Sequence, residues 1–334
     1  MAGVWTGKEL AVINTQPQPG LAWSVSAYDP VLDRWRDIPA PSNTTFTSRI
    51  EPFLGAVAGK LIVYGGIGES PAATEGVLTD GWVIDLTDLT WTAMTPGPPL
   101  WPPGEGVRLP RVFADGPRAL FVPAIDTSDG TTDVAVATYD LSTQTWETAP
   151  TPSTTNGFGC DGPGWNGSQA VCASVYYLYR ITSNPLAVEA FPTLDASLLS
   201  YWNVLSPVGG LFFGVGFPLS SSVPDANQVF WVDPSRETWS APTQLPARLG
   251  SAVATVNGQI LVWGGTGPAT IDPGGRVSET FVGEVFDPVA GVWSAVTCVD
   301  APSWAAAGVT VATPTGLIVF NGADDPTAAA VLEL

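Results

Sequence analysis

The stretch Asp287-Pro288-Val289-Ala290-Gly291-Val292-Trp293 carries the pattern that decides the fold, an aspartate followed six positions later by a tryptophan. An aromatic or aliphatic residue precedes the aspartate in every copy. Aspartate can accept hydrogen bonds from backbone amides two residues further on, so each copy predicts a tight turn between two strands. The pattern occurs five times, at Asp29/Trp35, Asp85/Trp91, Asp140/Trp146, Asp233/Trp239 and Asp287/Trp293.

A longer interval separates the third copy from the fourth. Within it, Tyr179-Arg180 followed by Leu186 occupies the matching frame, and we expect a degenerate sixth copy there. In the five regular copies the tryptophan offers a large apolar surface, which predicts packing between neighbouring sheets more than contact with a ligand.

A second repeat consists of a glycine-containing turn followed by an apolar strand. Successive turns lie 42 to 58 residues apart, a spacing typical of one four-stranded antiparallel sheet. Seven such turns predict seven sheets. The glycines are Gly7, Gly59, Gly116, Gly167, Gly209, Gly258 and Gly316.

Together these features resemble the kelch repeat, whose propellers include those similar to the central domain of galactose oxidase. The double glycines Gly65-Gly66 and Gly264-Gly265 end one strand, an aromatic-Asp pair ends the next, and Trp opens the last. The resemblance implies an all-β chain forming a single β-propeller domain, 1–334, with about seven four-stranded antiparallel blades, or six as the alternative. The expected blades span about 1–40, 49–95, 108–150, 157–192, 200–243, 248–297 and 303–334.

The last predicted blade lacks a segment for an outer strand with its Trp. We therefore expect incomplete ring closure, or closure at the termini. An unpaired strand edge there would favour self-association.

The long loops are expected on one face of the propeller, because alternate connections in an up-and-down sheet lie at the same end. These loops include 67–81, 95–110 and 266–280. Long loops on a rigid scaffold commonly carry binding residues, so any site is predicted on this face, near the central channel.

The predicted ligand-binding residues are arginines and loop tryptophans. Arginine suits a planar carboxylate, although each guanidinium can equally pair with a nearby acid such as Glu51 or with a strand-end carbonyl. Exposed tryptophans can stack on a sugar or a partner side chain, or pack beneath a loop. The candidates are Arg49, Arg111, Arg248, Trp101, Trp202 and Trp304.

Acidic loop residues support an alternative function. Paired carboxylates at the channel would suit a carbohydrate-active enzyme, either a hydrolase, a lyase or an epimerase. The segment 126–133 has alternating oxygen ligands but no full calcium-loop signature, so no metal and no cofactor are predicted. The acidic candidates are Glu69, Asp126, Asp129, Asp225, Asp272 and Glu279.

Composition excludes several other classes of function. The chain has 12 Lys and Arg against 31 Asp and Glu, a net charge of -19, which argues against nucleic-acid binding. It has no histidine, so Ser-His-Asp catalysis and most zinc chemistry are excluded, as are the histidine-dependent oxidases and specifier proteins of the kelch group. The apolar stretch 304–320 is predicted as a hairpin and not a membrane span, because it contains Pro314 and Gly316.

The cysteines bear on the compartment. Cys160 and Cys172 lie symmetrically about Asn166, so a hairpin centred there would place them opposite each other. A disulfide between them would indicate an extracytoplasmic or secreted protein, and two reduced thiols would fit the cytoplasmic alternative. No signal peptide is visible at Met1.

These observations favour a non-catalytic binding or scaffold propeller that recognises a protein or glycan through the long-loop face. The alternatives are the carbohydrate-active enzyme and a structural assembly protein that uses an open edge strand.

Overall fold

The structure is a computed structural model. It describes residues 2–13, 24–40, 49–68, 76–100, 111–123, 135–152, 160–173, 177–191, 201–218, 226–240, 243–246, 252–263, 266–271, 277–279, 282–297, 309–320 and 329–333. These residues form an all-β fold without a helix, which confirms the predicted class. The chain divides into two compact units: Met1–Asp161 with Gly167–Gln169 and Tyr179–Ala190, and Gly162–Asn166 with Ala170–Leu178 and Phe191–Leu334.

The first unit begins with a four-stranded antiparallel sheet in which the strands follow one another in chain order. The outer strand is partly exposed, while the second strand is fully buried. The strands are β1 (Ala2–Trp5), β2 (Leu10–Ile13), β3 (Val25–Asp29) and β4 (Arg34–Ile38).

An eight-stranded sheet follows, in the order β11-β10-β7-β6-β12-β13-β14-β15. It consists of two four-stranded antiparallel sets, joined where β6 pairs in parallel with β12 through Leu54 and Arg111. The remaining strands, β5, β8 and β9, form a separate small sheet. The strands are β5 (Arg49–Ile50), β6 (Phe53–Val57), β7 (Lys60–Tyr64), β8 (Ile67–Gly68), β9 (Gly76–Val77), β10 (Gly81–Asp85), β11 (Trp91–Ala93), β12 (Arg111–Asp115), β13 (Arg118–Val122), β14 (Ala135–Asp140) and β15 (Thr145–Pro150).

Residues 161–190 supply strands to both units. The neighbouring strands β16 (Asp161–Trp165) and β17 (Gln169–Ala173) lie mainly in the second unit. The antiparallel hairpin of β18 (Leu178–Ser183) and β19 (Leu186–Ala190) lies mainly in the first.

The second unit continues with three larger sheets and one hairpin. The first sheet has the order β20-β21-β22-β23, with β24 also paired to β22, and the second has the order β25-β26-β29-β30. Strands β31, β32 and β33 form the third sheet, and β27 pairs with β28. The strands are β20 (Tyr201–Val208), β21 (Leu211–Pro218), β22 (Ala226–Asp233), β23 (Thr238–Trp239), β24 (Thr243–Pro246), β25 (Ala252–Val256), β26 (Gln259–Trp263), β27 (Thr266–Ile271), β28 (Val277–Glu279), β29 (Val282–Asp287), β30 (Val292–Thr297), β31 (Val309–Thr313), β32 (Gly316–Phe320) and β33 (Ala329–Glu333).

Within each unit the first strands of successive sheets lie side by side. Strand β6 lies beside β1 and β12, and β25 lies beside β20 and β31. This is a β-propeller-like arrangement of antiparallel sheets. Glycines permit the close approach: a Cβ built at Gly55 would lie 2.3 Å from Val112 Cβ, and one at Gly164 would lie 2.7 Å from the Leu205 carbonyl oxygen.

The described sheets are not seven separate four-stranded blades. The parallel pairing of Leu54 with Arg111 merges two four-stranded sets into one sheet. Strand β24 adds a fifth strand to another sheet, and the described part of the last sheet has three strands. The number of four-stranded sheets defined by strand pairing therefore differs from the expected seven or six blades.

Candidate functional site

The aspartate of each repeat organises the turn at the end of its third strand, which we call the short-turn end of the sheet. Asp140 Oδ1 accepts hydrogen bonds from the amides of Ser142 and Thr143, at 2.8 and 3.1 Å. Asp287 Oδ1 accepts from the second and third turn amides at 2.8 and 3.0 Å. Asp29, Asp85 and Asp233 make the same type of contact. The predicted role of aspartate in these turns is thus seen in all five copies.

Hydrogen bonding in these turns stabilises the ionised carboxylates. The hydroxyl of Ser142, followed by the turn amides, holds the pKa of Asp140 below its ordinary value. The amides of Ala290 and Val289 lower the pKa of Asp287. The pKa is also lowered at Asp85 and Asp233. These shifts have a local structural cause, so they do not indicate a catalytic site.

The fourth residue after each aspartate has a left-handed backbone conformation, which the sequence analysis did not predict. Four of these five positions hold a residue other than glycine, and each accepts the strain of a positive φ. The residues are Asp33 (φ 47), Leu89 (φ 59), Gln144 (φ 57), Glu237 (φ 54) and Gly291 (φ 68).

The glycine turns at the same end also follow the prediction, with one exception. Six of the seven glycines have positive φ, between 58 and 97. Gly316 is different, because Thr313 pairs directly with it and the two turn residues are Pro314 and Thr315. Gly316 is therefore the first residue of β32 and not part of the turn.

The degenerate sixth copy has a different turn from the one expected. Ser183 pairs with Leu186, so the turn contains only Asn184 and Pro185. The expected frame ended the third strand at Arg180, but this strand continues to Ser183, so the turn lies closer to Leu186. Leu186 does open the following strand, as expected, but without a tryptophan.

The repeat tryptophans pack against the sheets. Trp146 contacts Tyr64, Phe121 and Tyr139, with ring centroids 4.6 to 5.0 Å apart. Its Nε1 donates a 2.9 Å hydrogen bond to the carbonyl of Thr95. Trp91, Trp239 and Trp293 also pack against apolar clusters.

We call the opposite end of each sheet the long-loop end. Arg49, the first residue of β5, lies at this end and is fully buried. Its guanidinium forms an ion pair with Asp80, with Nη2 2.9 Å from Oδ2. Nη1 donates to the carbonyl oxygens of Gly65 and Asp80, at 3.1 and 3.2 Å. Arg49 thus pairs with an acid and with carbonyl oxygens, which was the expected alternative to ligand binding. The acid is Asp80, whereas the sequence suggested Glu51 as an example.

The double glycine Gly65-Gly66 positions one of these carbonyls. Both glycines have positive φ, 63 and 90. The Gly65 amide donates to the Asp80 carbonyl, and the Gly66 carbonyl accepts from the Leu78 amide, each at 2.9 Å. The glycine pair therefore returns the chain along residues 78–80 and directs the Gly65 carbonyl towards Arg49.

Arg111 has a different environment at the same end. It is the first residue of β12, paired with Val122 on one side and Leu54 on the other. The residue is exposed to solvent. Neighbouring protein atoms desolvate its guanidinium in part, which lowers the pKa of the group. No ion pair involving Arg111 occurs in the described part of the chain.

The described arginines that are buried or half-buried, unlike Arg111, have carboxylate partners. Arg36 pairs with Glu9 at 2.6 Å, and Arg118 lies 3.7 Å from Asp140. Arg180 pairs with Glu189. Arg111 is therefore an exposed cation for which the described residues provide no counter-ion.

Most other predicted site residues fall outside the described ranges. These are Arg248, Trp101 and Trp304, together with the acidic residues Glu69, Asp126, Asp129, Asp225 and Asp272. Only the backbone is described for Trp202, in β20, and Glu279, in β28. The predicted pairing of carboxylates stays a prediction.

Cys160 and Cys172 are both disulfide-bonded and both fully buried. Among the residues that the structure describes, no group of three acidic or cysteine side chains could hold a metal ion. The same residues include no helix that is long and apolar enough to cross a membrane.

Asp80 is the site residue that sequence reasoning missed. It lies 31 residues from Arg49 and directly before β10, outside any repeat motif. No signal in the sequence connects the two.

Comparison with known proteins does not assign the chain to a family. The sequence matches no protein-family model and no curated protein.

Proposed function

We propose that the chain is a kelch-like β-propeller which binds a ligand, without catalysis, through its long-loop face. The repeated aspartate and glycine turns support the repeat interpretation, because they recur with the same local geometry in sheets whose sequences differ. They occupy the short-turn ends of the sheets with hydrogen bonds made within each turn. The opposite ends carry the long connections, where recognition commonly takes place.

Arg111 is the observation that carries the binding proposal. Its guanidinium is exposed at the long-loop end and forms no ion pair with a described residue, so it can form a bidentate pair with a ligand carboxylate. Its position at the long-loop end of β12, with solvent access, lets such a ligand reach it. Arg49, already neutralised by Asp80, would support the site without contacting the ligand.

The ligand is a protein or a glycan that presents a single carboxylate. The net charge of -19 repels polyanions over a long range, whereas one carboxylate held at short distance gains a bidentate pair with Arg111. The alternative of an enzyme with paired carboxylates has no described residue in its favour.

A binding screen tests this proposal. The purified chain would be applied to immobilised glycans with and without a uronic acid and to peptides with and without one acidic residue. The variant Arg111→Gln should abolish the strongest interaction or weaken it about tenfold or more.

Arg34→Gln is the matched control, because Arg34 is an exposed arginine at the short-turn end of β4 and its loss changes the net charge equally. Equal weakening by both variants would mean that only overall charge matters. Turnover of a bound glycan, lost in a carboxylate variant, would show an enzyme instead.

We further propose an extracytoplasmic or secreted location, since disulfides persist in oxidising compartments. Isolation of the native protein with three free thiols would contradict it.

A further inference from the structure

The turn between β16 and β17 contains the triplet Asn166-Gly167-Ser168. Asparagine followed two residues later by serine or threonine, with no proline between them, is the acceptor sequence for N-linked glycosylation. Such acceptors are used on the surface of secreted proteins. The residue between Asn166 and Ser168 is glycine, so the triplet satisfies the rule, and the proposed binding function makes no use of it.

This turn lies at the protein surface. Gly167 and Ser168 are exposed, and Asn166 is half-buried. Gly167 has φ 96, and a Cβ built there would meet no atom of the described residues within 4 Å. The space beside the turn is therefore open, and a sugar chain attached to Asn166 can extend from it into solvent.

The turn geometry does not account for the triplet. Asn-Gly is a common turn sequence, and Asn257-Gly258 forms the corresponding turn between β25 and β26, with positive φ at both residues. The other glycines with positive φ in these turns are followed by Lys8, Lys60, Pro117, Gly210 and Gln259. None of these five residues has a hydroxyl, so the turn forms without the one that Ser168 provides.

The cysteines on either side of the turn indicate the compartment. Cys160 and Cys172 lie at equal separations from Asn166 in the sequence, and both are buried and disulfide-bonded. In eukaryotic cells disulfides form in the lumen of the endoplasmic reticulum, where N-linked oligosaccharides are also transferred. The inference rests on the extracytoplasmic location proposed above and adds the route, which is a eukaryotic secretory pathway.

We propose that Asn166 is an N-glycosylation site, modified by an oligosaccharyltransferase with a lipid-linked oligosaccharide pyrophosphate as the donor. In this transfer Nδ2 of Asn166 forms a bond to C1 of the first sugar. The bond between C1 and the pyrophosphate oxygen breaks, the lipid pyrophosphate leaves, and the amide loses one proton to a base of the transferase. The reaction takes place on the nascent chain, so hydrogen bonds of the folded turn do not prevent it.

Mass spectrometry of peptides from the native protein tests the site. Treatment with peptide N-glycosidase in heavy-oxygen water converts a glycosylated asparagine to aspartate and introduces one heavy oxygen. Asn-Gly pairs also deamidate spontaneously, so a parallel incubation omits the enzyme, and Asn257-Gly258 reports the background. We expect enzyme-dependent heavy oxygen at Asn166 and none above background at Asn257.

Variants secreted from cultured eukaryotic cells define the acceptor. Ser168→Ala removes the hydroxyl and keeps Asn166, so the glycan at Asn166 should be lost. Ser168→Thr is the matched control, because it keeps a hydroxyl at this position and should keep the glycan. A second triplet of this kind, Asn43-Thr44-Thr45, lies outside the described residues, and separate peptides distinguish its signal from that of Asn166.

Three results would overturn the proposal. An unmodified Asn166 in native protein with an intact disulfide would contradict the glycosylation site and leave the proposed location standing. A glycan on Asn166 that persists in Ser168→Ala would show that the triplet is not what the transferase recognises. Native protein with three free thiols would contradict the location and the glycosylation together, whereas binding through Arg111 is tested separately. The measurement on native protein uses the unaltered chain, so it remains decisive if a variant is not secreted.

Discussion

The amide of Gln144 donates a 2.8 Å hydrogen bond to the carbonyl of Asp140, and Gln144 takes a left-handed conformation with φ 57. Gly291 makes the same contact with Asp287, at the same distance. One turn geometry is therefore occupied by a strained residue in one sheet and by an unstrained one in another.

Gln144→Gly should raise the free energy of unfolding by about 0.5 to 1 kcal/mol, because glycine relieves the left-handed strain at some cost in chain entropy. Gly291→Ala should lower it by about 1 kcal/mol. Urea unfolding of both variants measures the two effects. Changes of the same sign would show that the strain at this position is not what determines stability.

Acid should destabilise the protein through the turn aspartates. Their pKa is lower in the folded state, so each stabilises the fold at pH values above the unfolded pKa of about 4, and that stabilisation is lost as the pH falls through the folded value. Asp140→Asn keeps an acceptor for the turn amides but does not titrate. The urea midpoint should fall between about pH 5 and about pH 2, and the fall should be smaller in Asp140→Asn than in the parent.

Gly55→Ala should lower the free energy of unfolding by about 1 to 3 kcal/mol, because the added Cβ would lie 2.3 Å from Val112 Cβ. Gly210→Ala is the matched control, since a Cβ there meets nothing within 4 Å. Thermal unfolding of both variants checks the expectation. A Gly55→Ala protein as stable as the control would show that β6 and β12 separate easily.

Asp80→Asn should lower the free energy of unfolding by about 1 kcal/mol, because it removes the carboxylate that lies 2.9 Å from the buried guanidinium of Arg49. Arg111→Gln should not lower it, since that side chain has no described ion pair to lose. Urea titrations of the two variants distinguish an arginine that stabilises the fold from one that is available to a ligand. A large loss of stability in Arg111→Gln would assign Arg111 a structural role.

Thiol counting checks the disulfide. In denaturant without reductant, one thiol per chain should react with Ellman's reagent, because two of the three cysteines are disulfide-bonded. After reduction, all three should react. Three reactive thiols before reduction would contradict the structure.

Sequence reasoning succeeded where the chemistry is local. An aspartate that accepts amides two and three residues away can be identified from spacing, and so can a glycine with positive φ in a tight turn. It failed where contacts are distant in sequence. The ion pair of Arg49 with Asp80 and the contact of Gly55 with Val112 depend on how separate strands come together. The left-handed conformation of Leu89 and Gln144 was also missed, because neither residue type favours it.

The five aspartate turns also make the protein a candidate scaffold for engineering. In the turns after Asp29 and Asp287 the aspartate carboxylate accepts the backbone amides, and the valines within these turns are exposed. Val289 is 97% exposed and Val31 is 87% exposed. Short recognition sequences grafted between the aspartate and the left-handed residue of such a turn would be displayed on a constrained backbone.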